Sequence, residues 1–244
     1  MYVVKFGGSA ITDKRRPYTY RRGRVAKIAS LLRGVRAVLI HGAGSFAHPH
    51  VKSFGLTPVG IAYTKASLRR LTSYVVEELL EAGVPALPME PSELFWGRHL
   101  TRPEVVAHAL ERGLYPLLHG DVVPSDEGYV VISGDDIAVE LTRHFKPKAV
   151  VFLMEVDGIY TAPPGAVGAE KIRKITRGLE VEGTAGIDVT GGVRKKVESG
   201  LEIAKMGVPA YYCSIDDSKS LSSIISGGGE VDCTYVEPYT TITP

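Results

Sequence analysis

No apolar run in the 244 residues approaches the roughly 20 needed for a membrane-spanning helix. The opening stretch, MYVVKFGGSA, lacks a basic segment followed by an apolar one, which argues against a secretory signal. Cysteine is scarce: Cys213 and Cys233 are the only two, without CxxC spacing. Two such thiols suggest a reducing compartment without excluding a disulfide, and the cytoplasm is the expected location. Zinc-like ligand spacing, a Ser-His nucleophile–base pair and a G-x-x-x-x-G-K-[ST] loop are all missing. Acids are nearly absent from the first 76 residues, where Asp13 stands against 14 Lys/Arg. That half carries a net +13 and the remainder −11. Such asymmetry suits a lobe that meets anions. Without an RNP motif or paired zinc ligands, small phosphorylated molecules fit better than nucleic acid. Neither nucleic acid nor a membrane is expected as a partner.

What is present reads as a soluble α/β protein. The composition, 44% hydrophobic and 23% charged, is ordinary, and the length suits one large domain or two joined lobes. Apolar runs predict strands over Tyr2–Phe6, Ala37–His41, Val84–Leu87, Leu114–His119, Tyr129–Ile132, Ala149–Leu153, Ala210–Ser214 and Cys233–Val236. Amphipathic stretches predict helices over Arg22–Leu32, Ile61–Ala82, Pro103–Arg112, Asp135–His144, Gly192–Met206 and Ser218–Ile225. Continuous runs such as AVLI and AVVFL fit a parallel sheet covered on both faces, hence a three-layer sandwich. The Gly/Pro-rich segment 160–172 reads as a loop or loose hairpin, and a seam near 145 could separate two lobes.

Four stretches carry the chemistry. In VVKFGGSAITDK, residues 3–14, two glycines end a strand between Lys5 and Lys14, with Ser9 beside them. HGAGSFAHPH, residues 41–50, matches G-x-G-x-x-A, yet no acid occurs between Lys14 and Val76 to hold a ribose. A dinucleotide is therefore excluded, and a phosphate-binding strand–loop–helix turn remains, with His48 just beyond it. His41 reads as structural and His50 has no assignment. In ISGDDIAVEL, residues 132–141, Ser133 can cap a helix, and of its two acids Asp136 is favoured over Asp135 as the functional one. In DVTGGVRKKVESG, residues 188–200, Lys195 and Lys196 oppose a helix dipole unless an anion sits there. All four lie at the carboxyl ends of predicted strands, where open α/β sheets bind ligands. Lysines, glycine N–H groups and one histidine suit phosphoryl transfer, which works by positioning and charge neutralisation.

KFGGSAITDK, HGAGSFAH, SGDDI, EVDGIYT and DVTGGVRKK occur in the order found in the amino acid kinase superfamily. Within it, GGS-x-ITDK and G-x-G-S-F-x-H most resemble the isopentenyl phosphate kinases. The resemblance implies an αβα sandwich with an open, mostly parallel eight-stranded sheet, usually a homodimer. It implies a single domain over 1–244, with the acceptor bound by about 1–145 and the nucleotide by about 146–244. The implied reaction moves the γ-phosphate of ATP to isopentenyl phosphate in an alternative mevalonate route familiar in archaea. By motif, Lys5, Lys14 and Lys196 would neutralise the transferring group, with Asp136 holding them. Lys196 is the motif lysine because it lies five residues after Gly191. Gly7, Gly8, Ser9, Gly44 and Gly192, with Lys196, would contact the ATP phosphates, and Asp157 and Tyr160 the nucleoside. Ala43, Gly44, His48 and Gly134 would bind the acceptor phosphate. Mg2+ would arrive with ATP, and no protein metal ligand is assigned. The sequence departs from the family's commoner forms at GAGSFAH, for GGGSFGH, and at Val193, for methionine. Phe54, Ile61 and Tyr63 are the candidates for selecting the acceptor's tail. A fosfomycin kinase and a nonenzymatic nucleotide or anion binder are the alternatives.

Overall fold

A computed structural model describes residues 1–176 and 191–239. The central sheet has eight strands. From edge to edge they are Lys174–Ile175, Thr234–Val236, Ala210–Ser214, Val150–Met154, Tyr2–Phe6, Ala37–His41, Tyr115–His119 and Ala86–Pro88. Only Ala210–Ser214 against Thr234–Val236 runs antiparallel; the other neighbours are parallel. The expected sandwich is thus present, with one exchange of membership. Tyr129–Ile132 leaves the sheet, forming Gly128–Ile132 in a separate ribbon with Asp121–Ser125, and Lys174–Ile175 supplies the eighth strand. The segment 160–172 closes as the loose hairpin expected of it, pairing Ile159–Tyr160 with Lys171–Ile172.

Side-chain alternation explains both the layers and the placement of one functional group. Val3, Val38, Ile40, Val150 and Phe152 enter one core, with helices Pro103–Glu111, Gly134–Phe145 and Gly191–Lys205. Val4, Phe6, Leu39, Val151 and Leu153 enter the other, with helices Ala26–Ala29, Pro58–Glu81 and Ser218–Ser226. Buried on both faces, these strands are apolar at nearly every position, Lys5 and His41 apart, so their runs do not alternate. Period two then puts Lys5 on the face of Val3, toward the helix Gly134–Phe145. Each side chain the size of leucine contributes roughly 1.5–3 kcal/mol on burial, and the one ammonium in this layer is paired with the carboxylate of Asp135.

One helix is not evident from apolar periodicity. Gly44–Phe54 follows the second glycine loop and contains Pro49. A proline there has no N–H to offer the carbonyl of Ser45. The N–H of Tyr18 takes that carbonyl instead, at 3.2 Å, which ties the loop after Lys14 to this helix. Tyr18 has a φ of +56°, a conformation uncommon outside glycine.

The two cysteines are joined in a disulfide. Strands Ala210–Ser214 and Thr234–Val236 lie side by side and bring them together. The disulfide that the sequence left open is therefore formed. Among the described residues, no helix is long and apolar enough to cross a membrane.

Candidate active site

The strands Tyr2–Phe6 and Ala37–His41 end in register, Phe6 beside His41. Their glycine loops are therefore pressed together. A Cβ on Gly8 would lie 2.5 Å from the nitrogen of Gly44, and one on Gly42 would strike the nitrogen of Gly8. Gly44 has φ +50°, and a Cβ there would collide with Thr12 Oγ1. Thr12 staples the pair: its hydroxyl donates to Gly8 O at 2.7 Å and accepts from Ser45 N–H at 3.0 Å. These glycines are required by backbone contact before any ligand is considered.

Two clefts open on either side of the joined loops. The first, about 600 Å3, is lined by Gly7, Gly8, Ser9, Lys14, Tyr160 and Lys196, among others. The second, about 590 Å3, is lined by Lys5, Ala43, Gly44, Gly134, Asp135 and Lys195, again among others. Gly8, Ser9, Lys14 and Lys196 line both. The clefts meet at two cations and a glycine–serine turn.

The charge arrangement corrects the choice between the adjacent acids. Lys5 Nζ donates to Asp135 Oδ1 at 2.6 Å, and Lys196 Nζ to Asp135 Oδ2 at 3.3 Å. Asp135 is 7% exposed and Lys5 5%. Asp136, expected to hold these lysines, instead completes a capping box with Ser133 and pairs with Lys195 at 2.9 Å and Arg98 at 2.9 Å. The physical reason is helical geometry. The third residue of the first turn folds back onto the cap, while Asp135, about 100° away, faces the sheet. Burial pushes the Lys5 ammonium down to about 8, and Asp135 offsets part of that fall. Burial would raise the Asp135 carboxyl, but Lys5 and Lys196 hold it down at about 2. Gly134 has a packing role as well: a Cβ there would lie 2.8 Å from Lys5 Cε.

The remaining expected residues divide. Gly44 lines the second cleft, although the motif places it at both ligands. Tyr160 lines the first cleft, and Asp157 stands behind it, accepting from Tyr160 Oη at 2.8 Å and Lys171 Nζ at 3.0 Å. Gly192 lies at the start of the helix Gly191–Lys205, and its surroundings fall outside the described residues, as does the DVT of its motif. His48 is on the helix Gly44–Phe54, with its side chain outside the described set. His41 is buried against Thr72 Oγ1 at 2.8 Å and stacks on His119; burial and His119 push its imidazole down to about 3.

None of the tail candidates Phe54, Ile61 and Tyr63 lines either cleft. Phe54 and Tyr63 are 45% and 52% exposed and stack with His50 on the outside. Thr64 and Leu68, one turn apart on Pro58–Glu81, face the second cleft with Val51, Val122, Val131 and Ile132. Among the described residues, Glu90, His119 and Asp121 are spaced as cation ligands could be. The Lys65 ammonium already sits on Asp121 and on Ser92, so this seat holds a built-in cation.

The sequence pattern of the amino acid kinase family matches residues 1–213. The isopentenyl phosphate kinase of Methanocaldococcus jannaschii is 28% identical over 222 residues, covering 80% of this chain and 85% of the relative. That of Thermoplasma acidophilum is 31% identical over 210 residues, covering 82% and 85%. Among solved structures, the T. acidophilum isopentenyl phosphate kinase product complex matches with a TM-score of 0.83 at 28% identity. The match covers 97% of this chain and 100% of that one.

Proposed function

The chain belongs to the amino acid kinase family, and from that premise we propose that it transfers the γ-phosphoryl group of ATP to isopentenyl phosphate, giving isopentenyl diphosphate and ADP. The observation that carries this reading is the meeting of two clefts of similar size at Gly8, Ser9, Lys14 and Lys196. We assign the cleft beside Tyr160 to ATP and the cleft beside Ala43–Gly44 to the acceptor. The acceptor side is then built largely by residues 1–145, while the nucleotide side combines Gly7–Arg21 with residues beyond Met154.

In this reading an oxygen of the acceptor phosphate bonds to the γ-phosphorus, the β–γ bridging bond breaks, and ADP leaves with its electron pair. A phosphate monoester with a second pKa near ~6 is already an oxyanion at neutral pH, so no general base is needed. The obstacle is repulsion between two anions. Lys14 and Lys196, at the shared wall, offset it where water is scarce. Asp135 fixes Lys196 and keeps the buried Lys5 charged, so the cations do not have to be recruited during the reaction. Beyond the phosphate, Val51, Leu68, Val122, Val131 and Ile132 offer a C5 tail an apolar wall.

Mg2+ neutralises phosphate oxygens when it is bound with ATP. Of the carboxylates lining the nucleotide cleft, Glu155 is clasped by Arg21 and Arg24, and Asp13 accepts from the Arg15 N–H at 2.8 Å. Glu155 is thus engaged by two guanidiniums, and the metal ion is taken to arrive on the nucleotide and keep its waters.

Acceptor-dependent ADP release tests the assignment of His48. His48→Ala is expected to raise the KM for isopentenyl phosphate about tenfold or more, the loss of one charge-assisted contact, with ATP affinity retained. Collapse of ATP affinity at an unchanged acceptor KM would place His48 on the nucleotide side.

A further inference from the structure

The doublet Lys195–Lys196 is divided between two tasks. Successive helical residues point about 100° apart, and the two ammoniums go to different carboxylates. Lys196 reaches Asp135 at 3.3 Å, and Lys195 reaches Asp136 at 2.9 Å. Lys196 lines both clefts, while Lys195 lines the acceptor cleft alone.

The two ion pairs differ in what a departing lysine would leave behind. Asp135 is buried, and Lys196 is the partner of its Oδ2. Removing that partner would leave a buried carboxylate oxygen unpaired, which is costly. Asp136 has partners to spare. Its Oδ2 accepts from the Ser133 N–H and from the Ser133 hydroxyl, each at 2.7 Å, in addition to Lys195. Its Oδ1 faces the Arg98 guanidinium at 2.9 Å. After Lys195 leaves, both oxygens remain bonded and one cation still neutralises the charge. The Lys195 side chain is 46% exposed, so it can swing without disturbing the core.

We propose that Lys195 leaves Asp136 to bind the phosphate of the acceptor, while Arg98 stays on Asp136 as a positioning residue. The exchange favours the ligand because a phosphate dianion offers more charge and more free acceptor sites than a carboxylate that is already bonded three times. Lys196 remains at the junction with the transferring group. Ion pairs of both lysines with the two acids also link the starts of helices Gly134–Phe145 and Gly191–Lys205. The inference rests on the assignment of the second cleft to a phosphorylated acceptor.

Steady-state kinetics with each substrate varied in turn separates this role from a structural one. Lys195→Met is expected to raise the acceptor KM about tenfold or more, with the ATP KM within about twofold and the melting midpoint unchanged. Lys195→Arg recovers most of the loss. Arg98→Met raises the acceptor KM by about threefold, because Asp136 then competes harder for Lys195. Equal rises in both KM values, or an unchanged acceptor KM in Lys195→Met, overturn the proposal. If the wild type ignores isopentenyl phosphate but uses another monophosphate, the tail assignment fails, and the same KM split is then read on the acceptor that is used.

Discussion

Asp135→Asn is expected to reduce kcat by about 10²-fold or more, comparable to deleting one charge-stabilising group from a preorganised site. The loss comes through Lys5. With the carboxylate present, burial brings Lys5 down only to about 8, so it is mostly protonated at neutral pH. Asp135 raises the Lys5 pKa, so its removal lowers that value further and Lys5 goes neutral. The alkaline limb of kcat/KM, which reports the free enzyme, should therefore move to lower pH in the variant. Acid stability shifts as well. The folded-state pKa of Asp135 is about 2 against an ordinary 3.8, so its contribution is present above pH 4 and lost as pH falls through 2. The difference is on the order of 2 kcal/mol, and denaturation curves of the variant should lack that step. Asp136→Asn removes half of a capping box, costs about 1 kcal/mol of stability, and keeps kcat within a few-fold. A variant pair with these effects interchanged would restore Asp136 as the residue that holds the lysines.

Gly44→Ala should lower stability by about 3 kcal/mol or more. Two costs add. The backbone sits at φ +50°, and a Cβ meets Thr12 Oγ1 and, at 2.8 Å, Gly8 O. Both obstacles belong to the staple between the glycine loops, so relief requires the clefts to separate. Gly34 provides the comparison, with φ +74° and no atom within 4 Å of the place a methyl group would occupy. Gly34→Ala should cost only the backbone term, about 1–2 kcal/mol, and leave turnover intact. Urea denaturation of the two variants reads the difference directly. Equal losses would mean that the loops are not in the contact described.

The residues differ in how openly the sequence displays their roles. Tyr2–Phe6, Ala37–His41 and Ala210–Ser214 are legible to the residue, because a strand covered on both faces reads as a near-continuous apolar run. Tyr129–Ile132 has the same apolar character but sits in a ribbon, since composition does not encode the strand's neighbour. The helix Gly44–Phe54 is hidden by Pro49 and by histidines that blur its apolar face. Asp135 could have been found. Ser133-x-x-Asp136 is a capping-box signature, which commits Asp136 and leaves Asp135 for Lys5, itself on the odd-numbered face of its strand. The tail wall is less accessible, because Val122 and Val131 come from the two arms of the ribbon.

In the proposed reading, the clefts joined at Lys14 and Lys196 accept ATP on one side and an isoprenoid monophosphate on the other. Phosphorus-31 NMR of the wild-type protein with ATP and Mg2+, offered isopentenyl phosphate, fosfomycin, uridylate and glutamate in competition, tests it most directly. ADP together with a new diphosphate pair from isopentenyl phosphate is expected, with the other three largely unchanged. Phosphorylation of uridylate or glutamate while isopentenyl phosphate stays a monoester would contradict it.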